Sequence, residues 1–283
     1  MANTANRNGF WTAAVWKSID DGVSKAVSAI RVVQTIIPST QLTGVTSVPA
    51  DVFNPEKMSI AEGQTKPYLE LAVEFPLTNG QVNADAAGSA GTTLAKFAAK
   101  SLALAEDLVI LQGKNATLPR TVKIESGEDS LGDGLLGLTA GRVVNVQPPD
   151  PDVPTNSGGS ILSAISQGIA LLTAGQQAPP YALIEDTNAF AATWGSVING
   201  APTYSVLNQL LTGGVIGSAA MPANTGLLIS LGGDPTAIYV DTDPTTEPTH
   251  QDGAGKYFFR TYERIQVVAR DPRAFVKLDF EYL

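Results

Sequence analysis

Residues 92–112 read TTLAKFAAKSLALAEDLVILQ and give the strongest helix pattern in this chain of 283 residues. Thr92 can cap the first turn, alanine and leucine favour the helical backbone, and Gly113 follows the last periodic residue, as is typical where helices end. One face is apolar throughout and consists of Leu94, Phe97, Ala98, Leu102, Ala105 and Val109. The stretch therefore predicts one long helix with a broad buried face.

The charges of this helix oppose its dipole. Lys96 and Lys100 lie in the N-terminal half, whereas Glu106 and Asp107 lie in the C-terminal half. Each such charge costs roughly 0.3 kcal/mol or more unless it is paired. We therefore expect other elements or other subunits to supply partners for these side chains.

Residues 12–33 predict an amphipathic helix that begins at an N-cap, Thr12, and ends before Pro38. Its apolar stripe recurs at three- and four-residue spacing and comprises Trp16, Ile19, Val23, Val27 and Ile30. Such a stripe suits packing on the subunit's own core, and it equally suits docking of a partner. The sequence leaves both uses open.

Residues 45–83 contain four prolines and the alternating run YLELAVEF, from Tyr68 to Phe75. Alternation predicts a strand in which Leu69, Leu71, Val73 and Phe75 face one way. Because little helix lies nearby in the sequence to cover that face, we expect an extended arm that packs on a neighbouring subunit.

Later segments alternate helix and strand patterns, which favours a compact mixed domain between the long helix and the C-terminus. The stretch DTDPTTEPTHQDG, residues 241–253, has the composition of a solvated loop. The predicted elements are helices over 160–174, 187–198 and 204–211, strands over 181–186 and 226–231, and two long strands over 256–283 that break at Asp271 and Pro272.

Charge is distributed unevenly along the chain. Residues 126–249 hold one basic residue, Arg142, against eleven acidic residues, which gives −10, while the whole chain carries −9. This asymmetry favours a middle domain inserted into a discontinuous outer one, although a well-solvated acidic region would show the same composition. Only 16% of the residues are charged, against about 25% in a typical soluble domain. Low charge suggests that other subunits cover part of the surface.

Composition argues against most enzymes. The chain has no cysteine and one histidine, His250, so thiolate nucleophiles, sulfur-ligated zinc sites and histidine-based triads lack their residues. Phosphate-binding glycine motifs are also missing. Asp241, Asp243, His250 and Asp252 could form a weak divalent-cation site, but a solvated loop explains them better. We predict no catalytic residues, no metal site and no cofactor.

Net charge and hydropathy limit the classes of partner that the protein is expected to bind. A charge of −9 opposes nonspecific binding to nucleic acid, whose affinity depends on basic residues. No apolar run approaches the roughly 20 residues of a membrane span, and the N-terminus lacks a signal-peptide core. We therefore expect a cytoplasmic protein with no membrane partner.

Several stretches resemble the encapsulins, the linocin-type shell proteins of bacterial nanocompartments. Each motif is short, but together they follow the family order over nearly the whole chain. The stretches are WKSIDDGVSKAVSAIRVVQ from Trp16, PYLELAVEFPL from Pro67, LAEDLVILQG ending at Gly113, GLLGL from Gly134, PYALIEDTNAF from Pro180, APTYSVLNQLLTGGVIGS from Ala201, and FRTYERIQVVARDPRAFVKL from Phe259.

This resemblance implies an α+β chain with the Hong Kong 97 phage capsid fold, assembled into a closed icosahedral shell around a cargo enzyme. The implied parts are an N-terminal helix (1–38), a peripheral domain with a long spine helix (39–44, 84–125 and 250–283), an extended loop (45–83) and an apical domain (126–249). The alternative with the same fold is a phage or prophage major capsid protein enclosing DNA, located in a virion. A protease has been suggested for this family, but the sequence offers no nucleophile and base for it.

The resemblance also implies site residues. The N-terminal helix would receive a short cargo peptide through Trp16, Ile19, Val23 and Ile30. The segment Asn199, Gly200, Ala201 and Pro202 aligns with the loop that forms a pore at the five-fold vertices. The partners it implies are further copies of the chain and a cargo protein with a targeting peptide, with nucleic acid as partner only for a phage capsid. The long proline-rich loop VQPPDPDVPTNSGG (146–159) and the tail FEYL depart from the family pattern.

Overall fold

A computed structural model describes residue 7 and residues 10–54, 57–84, 90–280 and 282–283. Its helices are α1 (Ala13–Ser28), α2 (Val33–Ile36), α3 (Asn79–Ala84), α4 (Ala90–Gln112), α5 (Gly134–Gly137), α6 (Gly159–Ala174), α7 (Thr187–Gly195) and α8 (Thr203–Leu210). The first eight strands are β1 (Ser39–Gln41), β2 (Ser47–Pro49), β3 (Val52–Asn54), β4 (Ser59–Ala61), β5 (Thr65–Pro67), β6 (Leu69–Thr78), β7 (Val122–Ser126) and β8 (Val143–Asn145). The others are β9 (Tyr181–Glu185), β10 (Val197–Ile198), β11 (Ala201–Pro202), β12 (Gly214–Gly217), β13 (Thr225–Ser230), β14 (Thr236–Gln251), β15 (Lys256–Ala269) and β16 (Phe275–Asp279).

The long helix α4 is confirmed, and it ends where the sequence predicts. It begins at Ala90, so Thr92 lies inside its first turn and is not the cap, and Phe97, predicted on the buried face, is 62% exposed. At Gly113 the backbone turns left-handed with φ +58°, and a Cβ there would lie 2.1 Å from the carbonyl oxygen of Gly132. Only glycine fits this close approach. The helix therefore stops against the turn that leads into α5.

The N-terminal helix begins at its predicted cap, because the Thr12 hydroxyl accepts a hydrogen bond from the amide of Val15. It ends earlier than predicted, at Ser28. The amides of Val32 and Val33 donate to the Asp107 carboxylate at 2.8 and 2.9 Å, which turns the chain away from α1 and starts α2.

One five-stranded sheet, in the order β1-β14-β15-β6-β7, carries α1 and α4 on its apolar face. Strands β6, β7, β14 and β15 are antiparallel neighbours, and β1 runs parallel to β14. The largest hydrophobic core lies between this sheet and the two helices.

Strand β6 corrects the prediction of an inter-subunit arm. Leu69, Leu71, Val73 and Phe75 are buried in the subunit's own core, where α4 covers them. The strand pairs with β15 over its whole length, from Leu69 opposite Ile265 to Thr78 opposite Lys256. Strand β15 lies far from β6 in the sequence, whereas α4 follows it closely, and the tertiary packing of both supplies the cover that the alternation alone did not indicate.

The extended part of the chain lies before β6 instead. Strands β2 and β5 form one short antiparallel ladder, and β3 and β4 form a second ladder beyond it. Two consecutive hairpin ladders therefore project as a loop over residues 47–67, and β6 returns the chain to the main sheet.

A second five-stranded sheet, in the order β12-β9-β13-β16-β8, packs against α6 around its own core. Close packing depends on Gly168 of α6, since a Cβ there would lie 2.8 Å from a methyl carbon of Leu228. The alternation of helix and strand predicted for this segment is confirmed, with α7 ending at Gly195 rather than at residue 198.

Sheet membership shifts the expected domain boundaries at two places. Strand β14 belongs to the sheet of the long helix, although its acidic sequence suggested the middle domain. Strand β16 crosses from the C-terminus into the second sheet, where it pairs with β13 and β8. The charge distribution does not reveal to which sheet β14 or β16 belongs, because strand pairing determines this.

The expectation of a solvated loop over residues 241–253 is wrong for most of that stretch. Residues up to Gln251 lie on β14, paired with β15. The register shifts near Pro244 and Pro248, which cannot donate ladder hydrogen bonds, so the strand continues through bulges.

Candidate functional site

The apolar stripe of α1 packs mainly on the subunit itself. Trp16, Ile19 and Val23 are buried in the main core, and the Trp16 indole donates a hydrogen bond to the carbonyl oxygen of Arg7. Of the four residues predicted to receive a cargo peptide, these three are inaccessible in the folded subunit. Ile30 differs, since it follows the end of α1 and is 38% exposed.

Directly after Ile30 the chain enters a buried ionic cluster, which consists of Arg31, Gln34, Glu106, Asp107 and Glu263. One Arg31 nitrogen lies 2.5 Å from a Glu106 oxygen and 2.9 Å from a Glu263 oxygen, and both glutamate side chains are fully buried. Gln34 donates to the other Glu106 oxygen at 2.6 Å. The cluster joins the α1–α2 junction to α4 and β15.

Burial gives these carboxyls unusual proton affinities. Burial raises the pKa of Glu106 to about 7 and that of Asp107 to about 6. Burial also raises the pKa of Glu263 well above its usual value, and the neighbouring Glu106 adds to the rise. One guanidinium cannot balance three ionised carboxylates, so the cluster retains protons near neutral pH.

This cluster accounts for two of the four α4 charges that oppose the helix dipole. Glu106 and Asp107 find cross-element partners in Arg31 and the α2 amides, as expected. For Lys96 and Lys100 no ion pair is found among the residues that the structure describes. The sequence pointed to α4, but it did not identify Arg31 or Glu263.

The predicted pore segment forms a hairpin of β10 and β11. Asn199 and Gly200 occupy its turn with φ values of +49° and +80°, and all four predicted residues, with Ala201 and Pro202, are exposed. These dihedrals are typical of a tight two-residue turn. The Gly200 amide donates to the carbonyl oxygen of Thr155 at 3.1 Å, so the hairpin rests on the proline-rich loop.

The four residues weighed as a weak cation site have other partners. Asp241 accepts from Arg264 at 2.7 Å, and Asp243 accepts from Gln41 at 2.8 Å. Asp252 accepts from amides of its own turn, while the His250 ring stacks on Phe258. Within the described ranges no three carboxylate or imidazole side chains come together as a metal site would require.

Apolar side chains are exposed on the projecting loop. Met58 is 81% exposed and Ile60 is 57% exposed, both near the tip of the β3–β4 ladder. The base of the loop packs on the first sheet, where Val48 and Ala50 are buried with Tyr239 and Val268, whereas Met58 and Ile60 stay exposed among the residues that the structure describes. A free subunit would therefore present apolar surface to water, which favours association.

Similarity to known proteins agrees with this architecture. Residues 133–262 match the Linocin_M18 family model, described as encapsulating protein for peroxidase. No curated protein matches the chain significantly by sequence. The described residues contain no helix of the length and apolarity that a membrane crossing needs.

Solved shell and capsid structures share the fold. The virus-like particle from Pyrococcus furiosus is 16% identical with a TM-score of 0.67, over 93% of this chain and 99% of that one. The Mycobacterium phage Bobi structure is 14% identical with a TM-score of 0.61, over 93% and 91%. The SrpI encapsulin from Synechococcus elongatus is 9% identical with a TM-score of 0.52, over 88% and 90%.

These findings confirm the resemblance to the encapsulins and the Hong Kong 97 capsid fold that the sequence predicted. The matched family model is described as an encapsulating protein, and the structural neighbours include a virus-like particle, an encapsulin and a phage structure.

Proposed function

We propose that this encapsulin-like chain assembles with copies of itself into a closed icosahedral shell that encloses a cargo enzyme. The exposed apolar tip of the projecting loop carries this conclusion, because Met58 and Ile60 are exposed among the described residues and a contact with a second copy would bury them. The family match, the fold of the neighbours and the low charge content support the same function. As a cellular compartment, the shell would work in the cytoplasm of a bacterium or archaeon.

We predict that the double substitution Met58→Asp and Ile60→Asp prevents shell formation and leaves folded subunits or small oligomers. Two carboxylates at an apolar contact would have to be desolvated without partners, a cost of several kcal/mol at every repeated interface. Electron microscopy and light scattering would measure particle size, and circular dichroism would verify the fold.

The matched control is Met58→Leu with Ile60→Val, which keeps the tip apolar and should yield full-size shells. Full-size shells from the aspartate variant would show that the tip is not an assembly contact.

A phage capsid is the second candidate, since two phage structures share the fold with a TM-score of 0.61, which lies between 0.67 for the virus-like particle and 0.52 for the SrpI encapsulin. The two kinds of particle differ in what they enclose. Purified particles that hold a protein and no nucleic acid would favour the compartment, whereas packaged DNA would establish the capsid.

Of the residues predicted to dock cargo, Ile30 keeps that proposed role, because it is accessible beside the buried ionic cluster. Trp16, Ile19 and Val23 would instead hold α1 against the core of its own subunit. A peptide docking there would cover Ile30 without displacing core side chains.

The exposed hairpin of Asn199, Gly200, Ala201 and Pro202 is proposed to border a pore where copies meet. Its own residues are uncharged, but Thr155, which accepts from the Gly200 amide, lies close in sequence to Asp150 and Asp152, both exposed. Strand β14 places Asp241 and Glu247 in the other sheet, paired with Arg264 and Arg260, so these two acidic residues do not belong to the surroundings of the hairpin. Asp150 and Asp152 are therefore the best candidates for charge at the opening.

We expect Asp150→Asn with Asp152→Asn to reduce the preference of the shells for cations by roughly threefold at low salt, because aligned copies focus the potential within about 8 Å at physiological salt. Entry rates of cationic and anionic quenchers of equal size into shells with fluorescent cargo would measure this. Glu128→Gln with Asp129→Asn removes the same charge outside the hairpin and should change little. Equal entry of both quenchers into unmodified shells would contradict ion selection.

A further inference from the structure

A partly enclosed cavity lies at the base of the projecting loop, and the proposed shell function does not use it. Its volume is about 320 Å³, at the lower end of the range of small-molecule sites, roughly 300–1,000 Å³. The walls come from the loop base with Val52 and Lys66, the C-terminal end of α4 with Val109, the end of β15 with Val267, and residues 130–133 before α5. We call this space the loop-base cavity.

The walls of the loop-base cavity are mainly apolar. Leu69, Leu135 and Ile265 line it and belong to the main hydrophobic core, which holds them in place. Among the described residues that line the cavity, none is aromatic. Planar ring systems gain affinity by stacking on aromatic side chains. These walls therefore suit a flexible aliphatic chain better than a planar ligand.

The neutral polar side chains on the wall already have partners. Gln266 donates from Nε2 to the carbonyl oxygen of Pro67 at 2.6 Å and to Ser130 Oγ at 2.9 Å, and its Oε1 accepts from the Val267 amide at 3.0 Å. Ser130 in turn donates to the carbonyl oxygen of Gly127 at 2.6 Å. A ligand rich in hydroxyl groups would lose water without gaining matching hydrogen bonds from these side chains. The body of a ligand that fits is therefore apolar.

An unpaired cation stands at the mouth of the cavity. Lys66 is half-buried, and no ion pair of its ammonium is found among the residues that the structure describes. Its Nζ lies 3.9 Å from where a Cβ of Gly132 would stand. The acidic lining residue, Asp133, is paired with Lys114 at 2.7 Å. Two lysines and one aspartate leave a charge of +1, which a single carboxylate would balance.

We propose that the loop-base cavity binds an aliphatic monocarboxylate, a free medium-chain fatty acid, with its chain against the apolar walls and its carboxylate beside the Lys66 ammonium. A chain of roughly eight to ten carbons suits the volume. Burial of the chain supplies most of the affinity, because an ion pair at a partly exposed lysine contributes less than several buried methylenes.

Isothermal titration calorimetry on shells of the full-length chain tests this, with hexanoate, octanoate and decanoate below their micellar concentrations. We expect one site per subunit and an affinity that rises about fourfold for each added carbon, the effect of burying one methylene. The rise should stop before tetradecanoate, whose chain exceeds the cavity. Decanol has the same chain as decanoate without the charge and should bind about fivefold more weakly.

A variant that fills the mouth locates the site. Gly132→Leu should weaken decanoate binding at least about thirtyfold, because the added side chain takes the place of several methylenes of the ligand. A Cβ at Gly132 meets no described atom closer than Lys66 Nζ, so the backbone accepts the substitution. Gly253→Leu adds the same side chain in open space on an exposed turn and should leave binding unchanged.

A second variant tests the charge and decides the outcome if Gly132→Leu does not fold. Lys66→Met keeps an apolar stem and removes the ammonium, so it should weaken decanoate about fivefold and leave decanol unchanged. Lys123→Met removes an exposed lysine elsewhere and should change neither ligand.

Three results would overturn the proposal: an affinity that does not depend on chain length, decanoate binding that Gly132→Leu does not weaken, or a Lys66→Met variant that binds both ligands as the unmodified chain does. Binding by unassembled Met58→Asp, Ile60→Asp subunits but not by shells would show that a neighbouring copy fills the cavity instead. Electron microscopy scores shell formation separately, so a failure of ligand binding leaves the proposed shell function intact. If the chain forms no shells, the same titrations on its soluble subunits decide.

Discussion

Replacing Arg31 with methionine should lower the free energy of unfolding at pH 8 by about 3–5 kcal/mol, the range found when one member of a buried ionic group is removed. Arg31 is the cation that faces both Glu106 and Glu263, whose side chains have no access to water. Without it the carboxyls must stay buried as uncompensated charges or take up protons. Urea unfolding followed by circular dichroism would measure the loss.

Two further variants test the cause. Arg120→Met removes an exposed arginine and should cost little, which controls for the loss of charge. Adding Glu106→Gln and Glu263→Gln to Arg31→Met should recover much of the stability, because neutral amides need no counter-charge. If Arg31→Met unfolds within 1 kcal/mol of the unmodified chain, the ionic cluster does not hold the α1–α2 junction.

Local pattern was sufficient for much of the fold. The Thr12 cap, the end of α4 at Gly113 and the two strands separated by Asp271 and Pro272 follow from residues near each element in sequence. Each depends on interactions within one or two helical turns or on backbone constraints of glycine and proline. Such interactions are visible without knowledge of the tertiary structure.

Strands whose surroundings come from distant residues were predicted poorly. The apolar face of β6 was correctly identified, but α4 and β15, which cover and pair it, could not be assigned from the alternation alone. Strand β14 was missed because two prolines and many threonines resemble a loop. Bulges let the strand pass both prolines, and only pairing with β15 reveals this.

In the candidate site, too, the features that local sequence determines were predicted, and those that tertiary contacts determine were not. The turn at Asn199 and Gly200 follows from local residue preference. The use of the α1 stripe does not, since the same spacing serves a core and a docking surface, and burial of Trp16, Ile19 and Val23 decides for the core. Arg31 was not identified because its two carboxylates lie 75 and 232 positions away.

Stability should fall steeply as pH rises from 5 to 8. The buried groups with raised pKa are Glu106 and Glu185, each to about 7, Asp107 to about 6, and Glu263, well above its usual value. A pKa raised by folding means that the folded chain holds its proton more tightly than the unfolded chain does. The resulting stabilisation is complete below the unfolded pKa near 4 and disappears as pH passes the folded pKa.

The expected loss is on the order of 2–3 kcal/mol for each of Glu106 and Glu185, since one pKa unit corresponds to about 1.4 kcal/mol. Asp271 has the opposite sign: burial opposes its ionisation, but hydrogen bonds from Arg273 and Gln177 hold its pKa below the usual value. Its contribution disappears only as pH falls through that lowered pKa. Maximum stability is therefore expected between about pH 4 and pH 6.

Urea unfolding at pH 5, 6.5 and 8 would measure this slope. Glu185→Gln should reduce it without affecting the ionic cluster, because Glu185 lies in the second sheet and accepts its hydrogen bond from Thr193. Glu263→Gln should reduce it through the cluster, because the amide cannot ionise beside Glu106. Because these sites lie in different sheets, the two effects should add in the double variant. Unfolding free energies that rise between pH 5 and 8 would mean that the buried carboxyls are ionised in the folded chain, and Arg31 would then face a permanent excess of negative charge.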